Sequence, residues 1–389
     1  MTTRTASTFS PPVMEARRWL DGIVFPPERP LLNVSQAAPV DPPPDALQQA
    51  MAEALRDPAC HLYGPVLGNA ALRDALAART SAIYGGRVDG DQFAITAGCN
   101  QAFAATIAAL TAEGDEILLP TPWYFNHKMW LDMSGVRAVP LSTGDDLLPD
   151  PQWAKELITP RTRAIALVTP NNPGGVEYPP ALLAAFRDLA RDAGIKLIVD
   201  ETYRDFHAME GAPHPLLEDE DWHDTVIHLY SFSKSYRLTG HRTGAILGGI
   251  DFLSEVEKFL DTVAICPPQL GQRAALWGIE NLDSWLAGER AEILKRRRAI
   301  SDGLPRLAGL GWRLKGVGAY FAYLEHPFEI PSDALAKRLV SQSGILLLPG
   351  TMFRPDADPA GAREVRIAFA NIDTQEITEL YERLANFAP

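Results

Sequence analysis

The chain has 389 residues, 46% of them hydrophobic and 22% charged, with a formal net charge of −13. That length predicts about two domains, and the composition is that of an ordinary globular protein rather than a fibrous or disordered one. The acidic balance disfavours nucleic acid or an anionic membrane as partner, and three scattered cysteines (Cys60, Cys99, Cys266) with no CxxC pair exclude a disulfide framework or cysteine-held zinc and fit a reducing cytoplasm.

In chain order, the opening MTTRTASTFSPPVMEARRW has no apolar segment ahead of its charges, so no secretory signal is expected. No run approaches the ~18 uninterrupted apolar residues of a membrane span. Residues 1–44 are proline-rich and read as an extended arm, with PVDPPPD at 39–45 as a link and Asp45 as the cap of a helix over ALQQAMAEAL. HLYGPVLGNAALRDAL then sets Tyr63 in a loop before a helix, where an interface or core role is the plain alternative to a ligand contact. QFAITAGCNQAFAATIAAL passes from strand through glycine to helix. The N–H groups around Gly98, Cys99 and Asn100 therefore open a helix and can attract phosphate, although such junctions are common. After the strand EILLP, the loop PTPWYFNHKMW collects Trp123, Tyr124, Phe125 and Trp130; an aromatic face there could stack on a flat ligand, while Phe125 and Trp130 read as core. His127, taken singly, reads as a satisfied core histidine.

RAIALVTPNNPGG, residues 163–175, is an apolar strand ending in a turn that presents Asn172, whose amide can donate to an anion. IKLIVDETYRDF is a buried parallel strand, 195–199, ending in Asp200 with Tyr203 in the loop beyond. A carboxylate at a strand's carboxyl end sits where open α/β sheets bind ligands, with a turn cap as the competing reading. The basic run at 294–300 follows acidic GERAE and allows Glu292 to pair with Arg296 on a solvated helix face. EVRIAFAN places Arg366 on a short strand, suited to a bidentate grip on a carboxylate. Strands at 92–96, 116–119, 163–168, 195–199, 226–230 and 243–247 alternate with helices, which predicts a mostly parallel sheet. A helix over about 283–308 leads to strands near 312–314, 319–324 and 365–369 and helices 332–343 and 374–386, an α+β unit. The expected division is an arm at 1–44 belonging with the small domain, a large domain at 45–282 and a small domain at 283–389.

SFSKSYRLTGHRTG, residues 231–244, carries the most chemistry. Lys234 can form a Schiff base with an aldehyde, Ser231 and Ser233 can donate to phosphate oxygens, and Arg242, eight residues on, offers a charged fork to the same phosphate. A phosphorylated aldehyde cofactor, pyridoxal 5'-phosphate, is implied. Asp200 would face its pyridine nitrogen and Tyr203 its phenolic oxygen. The string resembles the lysine signature of the class I/II aminotransferases, the fold-type I enzymes of the aspartate aminotransferase superfamily, and the other strings fall in that family's order. DETY resembles its DExY element and NPGG its NPTG element, with Gly174 where the family usually has threonine.

The resemblance implies an α/β fold with a mostly parallel seven-stranded sheet flanked by helices, plus a smaller α+β domain. It implies that Tyr124 stacks on the cofactor ring and that His127 supports the site from behind. It assigns Arg366, Asn172 and Ala37 to the substrate, and has Tyr63 reach the cofactor phosphate of a partner subunit in a homodimer. The reaction implied is ping-pong transfer of an α-amino group from an amino acid to a 2-oxo acid through Lys234, in the cytoplasm. A β-lyase on the same fold is the main alternative. A non-catalytic regulator is a further one, disfavoured because no basic DNA-binding domain accompanies the motifs. No motif marks a second arginine for a dicarboxylate, and Trp123, Tyr124, Phe125 and Tyr320 would suit an apolar side chain.

Overall fold

The computed structural model describes residues 3–388; the first two residues of the expected arm, which open the segment read for a signal, and the last residue of the expected small domain lie outside it. Thirteen strands are named in chain order. They are β1 (Leu32–Asn33), β2 (Phe93–Thr96), β3 (Glu116–Thr121), β4 (Arg137–Ser142), β5 (Thr162–Val168), β6 (Lys196–Asp200), β7 (Val226–Ser231) and β8 (Gly244–Leu247), followed by β9 (Arg313–Gly318), β10 (Phe321–Glu325), β11 (Ile345–Leu346), β12 (Leu348–Pro349) and β13 (Glu364–Ala368).

Seven of them form one sheet in the order β2-β8-β7-β6-β5-β3-β4. The pairings from β7 across to β4 are parallel, and β8 is antiparallel to both neighbours. Helices cover both faces, so central strands are buried on both sides and read as unbroken apolar runs. Along β6, Leu197 and Val199 enter a core with Leu76, Phe186 and Trp222, while Ile198 enters the opposite core with Phe103, Leu229 and Val256. Alternation therefore puts Asp200 on the face of Ile198 and aims Glu201 to the other. Val168 pairs with Asp200 and Asp200 with Leu229, so β5, β6 and β7 end at one edge. There the turn after Val168, the loop after Asp200 and the short helix Phe232–Ser235 all begin.

The second sheet is antiparallel, in the order β12-β13-β10-β9. Ile300, Leu307, Phe321, Ile367, Leu380 and Leu384 pack between it and the helices Asp283–Ala308 and Thr374–Ala385. The amino-terminal arm is stitched onto this unit. β1 pairs in parallel with β11, and the Ala368 N–H donates to the Val34 carbonyl at 2.8 Å. Among the described residues no helix is long and apolar enough to cross a membrane.

Two expectations change. Asp45 does not cap a helix: it is the first residue of Asp45–Ala54, whose N-cap, Pro44, makes no side-chain bond. β4 was not expected from its sequence, because Pro140 lacks the N–H of an interior strand; it lies at the sheet edge, where that N–H is not needed. The expected Glu292–Arg296 pair forms at 2.9 Å.

Candidate active site

β7 delivers Ser231 to the N-cap of Phe232–Ser235, where its Oγ accepts the Ser233 N–H at 3.2 Å and fixes the turn that presents Lys234. Lys234 is half-buried, and its Nζ donates to the Ala37 carbonyl at 2.5 Å. Burial pulls its pKa from 10.5 to about 8, and the charges of Arg242 and Arg366 push the same way. The charged neighbours of this amine are thus cations.

Arg242 adopts left-handed backbone, φ 50°, and donates to Thr239 O at 3.0 Å and Ser233 Oγ at 3.4 Å. Its guanidinium lies against Gly98, the N-cap of the helix Cys99–Leu110, where φ is +85° and a β-carbon would come within 2.1 Å of an Arg242 nitrogen. The conformation favours glycine at this position, and any side chain there would push the Arg242 fork aside. The helix start, the Ser233 hydroxyl and the arginine together make a concave seat rich in donors.

Asp200 is buried. Nε2 of His127 lies 3.2 Å from its carboxylate, and the other carboxylate oxygen accepts the Thr202 hydroxyl at 2.7 Å and N–H at 3.0 Å. Burial alone would raise its pKa; the His127 and Thr202 contacts outweigh it and hold the carboxyl below its ordinary value, so it stays ionised. His127 is stacked on Phe103 with ring centroids 3.8 Å apart, so it is a packed core residue and the contact of Asp200 at once. The Cys99 thiol lies 3.6 Å from the same carboxylate, and burial raises its pKa well above the usual range.

Arg366 is buried on β13 with its guanidinium 4.9 Å from the ring centres of Phe321 and Phe353. It donates to Asn172 Oδ1 at 2.8 Å and to the Ser35 carbonyl, while its Nε has no partner. Burial lowers its pKa from 12.5 to about 10. The Tyr203 ring packs on Tyr320 and Phe321. The Tyr124 hydroxyl accepts from Asn126 at 2.9 Å and donates to Asn100 at 3.2 Å. At Gly174 a β-carbon would come within 2.9 Å of Leu147 and 2.8 Å of Asn171 Oδ1, so a threonine there would require both side chains to shift.

These groups converge on one cleft of about 340 Å³. Lys234, Asp200, Tyr203, Asn172, Arg242 and Arg366 line it, as do Cys99, Asn100, Tyr124, Ser231, Ser233 and Ala37. Gly98 touches it through Arg242. Tyr63 does not join: it is 77% exposed, in a separate surface groove beside Gln269 and Arg273. Trp123 and Phe125 are buried, Phe125 at the cleft wall and Trp123 in the core beneath it. Sequence reasoning missed Thr202 and Val13. The first was signalled by its place two residues after an aspartate, the usual spacing of a side-chain turn. Val13 had no local signal, since only the folding back of the arm brings it to the cleft.

Residues 29–384 match the family model described as aminotransferase class I and II. The chain is similar to an aromatic aminotransferase of Arabidopsis thaliana, 29% identical over 358 residues that cover 89% of this chain and 87% of the relative. A valine–pyruvate aminotransferase of Mycobacterium tuberculosis is 30% identical over 368 residues, covering 92% and 91%. Among solved structures, a Thermus thermophilus aspartate aminotransferase mutant superposes with a TM-score of 0.87 over 99% of this chain and 98% of the other, at 23% identity, a likeness of fold.

Proposed function

The chain belongs to the class I and II aminotransferase family, and from that premise we propose which residues carry the reaction. The enzyme is a pyridoxal 5'-phosphate-dependent aminotransferase that moves the α-amino group of an amino acid to a 2-oxo acid. The relatives are named aminotransferases, which favours amino-group transfer over β-elimination.

The residues fit the cofactor. The observation that carries the assignment is Lys234, a half-buried amine whose charged neighbours are two guanidiniums and whose pKa is drawn down to about 8. A phosphorylated aldehyde answers both features: its anion offsets the local positive charge, and its carbonyl carbon reacts with an unprotonated amine. The seat at Gly98, Cys99, Asn100, Ser231, Ser233 and Arg242 would hold the phosphate, and a β-carbon at Gly98 would displace Arg242 from it. When bound, the cofactor would supply an aldehyde carbon to carry the amino group between substrates and a ring that withdraws electrons from it.

The chain's own groups do the rest. Lys234 Nζ would hold the aldehyde carbon and, once released, take the substrate's α-proton and deliver it to that former aldehyde carbon. Asp200, kept ionised by His127 and Thr202, would hold a proton on the pyridine nitrogen. Tyr203 and the Asn172 amide N–H would donate to the phenolic oxygen; Asn172 Oδ1 already accepts from Arg366 and orients that amide. Tyr124 would cover the ring. Arg366, with Ala37 and Asn172, would fix the substrate α-carboxylate, for which its unpaired Nε is a further donor. In the homodimer we propose, Tyr63 would donate to the phosphate bound by the partner. The cytoplasm is the proposed location. The proposed units are the arm at 1–44, the cofactor unit at 45–282 and the small domain at 283–389, and the pairing of β1 with β11 supports grouping the arm with the last.

Reductive trapping with borohydride and peptide mapping test the assignment. Native protein is expected to carry the label at Lys234, and Lys234→Ala to carry none and to lose transamination with pyruvate or 2-oxoglutarate. A label elsewhere, or pyruvate and ammonia released without an acceptor, would contradict it.

A further inference from the structure

On the transaminase reading above, a donor places its carboxylate at Arg366 and its amine at Lys234, so its side chain meets whatever spans these two groups. The arm spans them: Ser35 O accepts from Arg366 and Ala37 O from Lys234. Asn371 pins the same stretch, accepting the Ala38 N–H at 3.3 Å and donating to the Gln36 carbonyl. The arm offers small apolar groups here, Ala37 and Ala38, and Val13 joins them from the helix Pro12–Arg18, with Phe125 and Tyr124 also at the wall. Core packing fixes that helix, because Ala16 is fully buried in a cluster with Phe125, Leu346, Leu348 and Phe353.

The cations lining the cleft are Lys234, Arg242 and Arg366, and each already has an anion or carbonyl carbon to serve. Arg17, four residues beyond Val13, is exposed and donates to Gln36 Oε1 at 2.7 Å. Solvent screens such a charge strongly. A side-chain carboxylate lodged against Val13 and Ala37 would lose water and gain no cation from the described residues of its own chain, whereas an apolar side chain loses nothing there.

We propose that Val13, with Ala37 and Phe125, forms a wall that selects amino donors with uncharged apolar side chains over dicarboxylic ones, and that Val13 is a specificity-determining residue. The test uses the full chain loaded with cofactor and follows single-turnover half-reactions of alanine, methionine, phenylalanine and aspartate by cofactor absorbance. Methionine and phenylalanine are expected to react with second-order rate constants at least about tenfold above aspartate's, the scale on which pockets resolve such groups. Calorimetry supplies a readout free of turnover: 3-phenylpropanoate should bind about tenfold tighter than succinate. Val13→Arg should lower the methionine-to-aspartate ratio about tenfold, and Val13→Phe, which narrows the wall, should lower the phenylalanine-to-alanine ratio similarly. Preference of the native chain for aspartate, above all if Arg17→Ala removes it, would overturn the inference alone. So would ratios unmoved in both Val13 variants that keep the native cofactor spectrum. Failure of every donor would overturn the transaminase reading itself, and this inference with it.

Discussion

At Lys234 the protein removes water from an amine and surrounds it with positive charge, so the neutral form gains relative to the ammonium. With the folded pKa at about 8 and the ordinary value at 10.5, the unfolded chain binds more protons between those limits. Stability of the cofactor-free protein from this group therefore rises as pH climbs from 8 to 10.5, and the cost of burying the cation is fully present below 8. The same shift governs reactivity. Labelling of Lys234 in cofactor-free protein by an amine-selective reagent, quantified by peptide mapping, should titrate with a midpoint near 8. A midpoint above 10 would show that the amine is solvated. That Lys234, Asp200, Asn172 and Arg366 meet in one cleft was legible because each sits in a short string whose strand or turn context fixes its direction. Glu201 was not. It follows Asp200 but faces the opposite core, where the Tyr84 hydroxyl and the Nε2 atoms of His214 and His228 gather on one carboxylate oxygen from three distant segments. Nothing local announces that convergence.

Among elements, the central strands were readable from their unbroken apolar runs, within a residue or two at most ends. The edge strand β4 was not, since half-burial and a proline erase its pattern. Less visible still was the support behind Arg366. Glu364, two residues earlier on β13 and buried, accepts Lys315 at 2.9 Å, the Tyr323 hydroxyl at 2.8 Å and the Arg354 fork at 2.6 and 2.9 Å. Arg354 follows Phe353, whose carbonyl accepts the Trp123 N–H at 2.8 Å and whose ring covers Arg366. One carboxylate thus ties the small sheet to the loop that carries Tyr124. Glu364→Gln leaves Arg354 with Asp358 alone, at 2.8 Å, and Lys315 with only an exposed Asp145 at 3.7 Å, and breaking a buried pair typically costs about 3–5 kcal/mol. A lowered thermal unfolding midpoint, with a weaker KM for the donor, is expected; an unchanged midpoint would mean that water or another group compensates for the charge.

For the molecule as a whole, family membership and the large and small sheets follow from order along the chain, but the path of the arm and any second subunit do not. Tyr63 stands 77% exposed, away from its own cleft, although its loop resembles one that serves a cofactor. In the proposed homodimer, Tyr63→Phe should weaken cofactor binding roughly tenfold, as expected for one hydrogen bond to a charged group, while sedimentation still reports a dimer. Unaltered cofactor affinity, or a fully active monomer, would remove the cross-subunit role. The arm's carbonyls at Ser35 and Ala37 have a final consequence. They accept from the amine and the guanidinium in the cofactor-free chain, and they belong to the main chain. Side chains at positions 36 to 38 can therefore be exchanged without unseating either group, which lets the range of accepted amino acids drift while the chemistry stays in place.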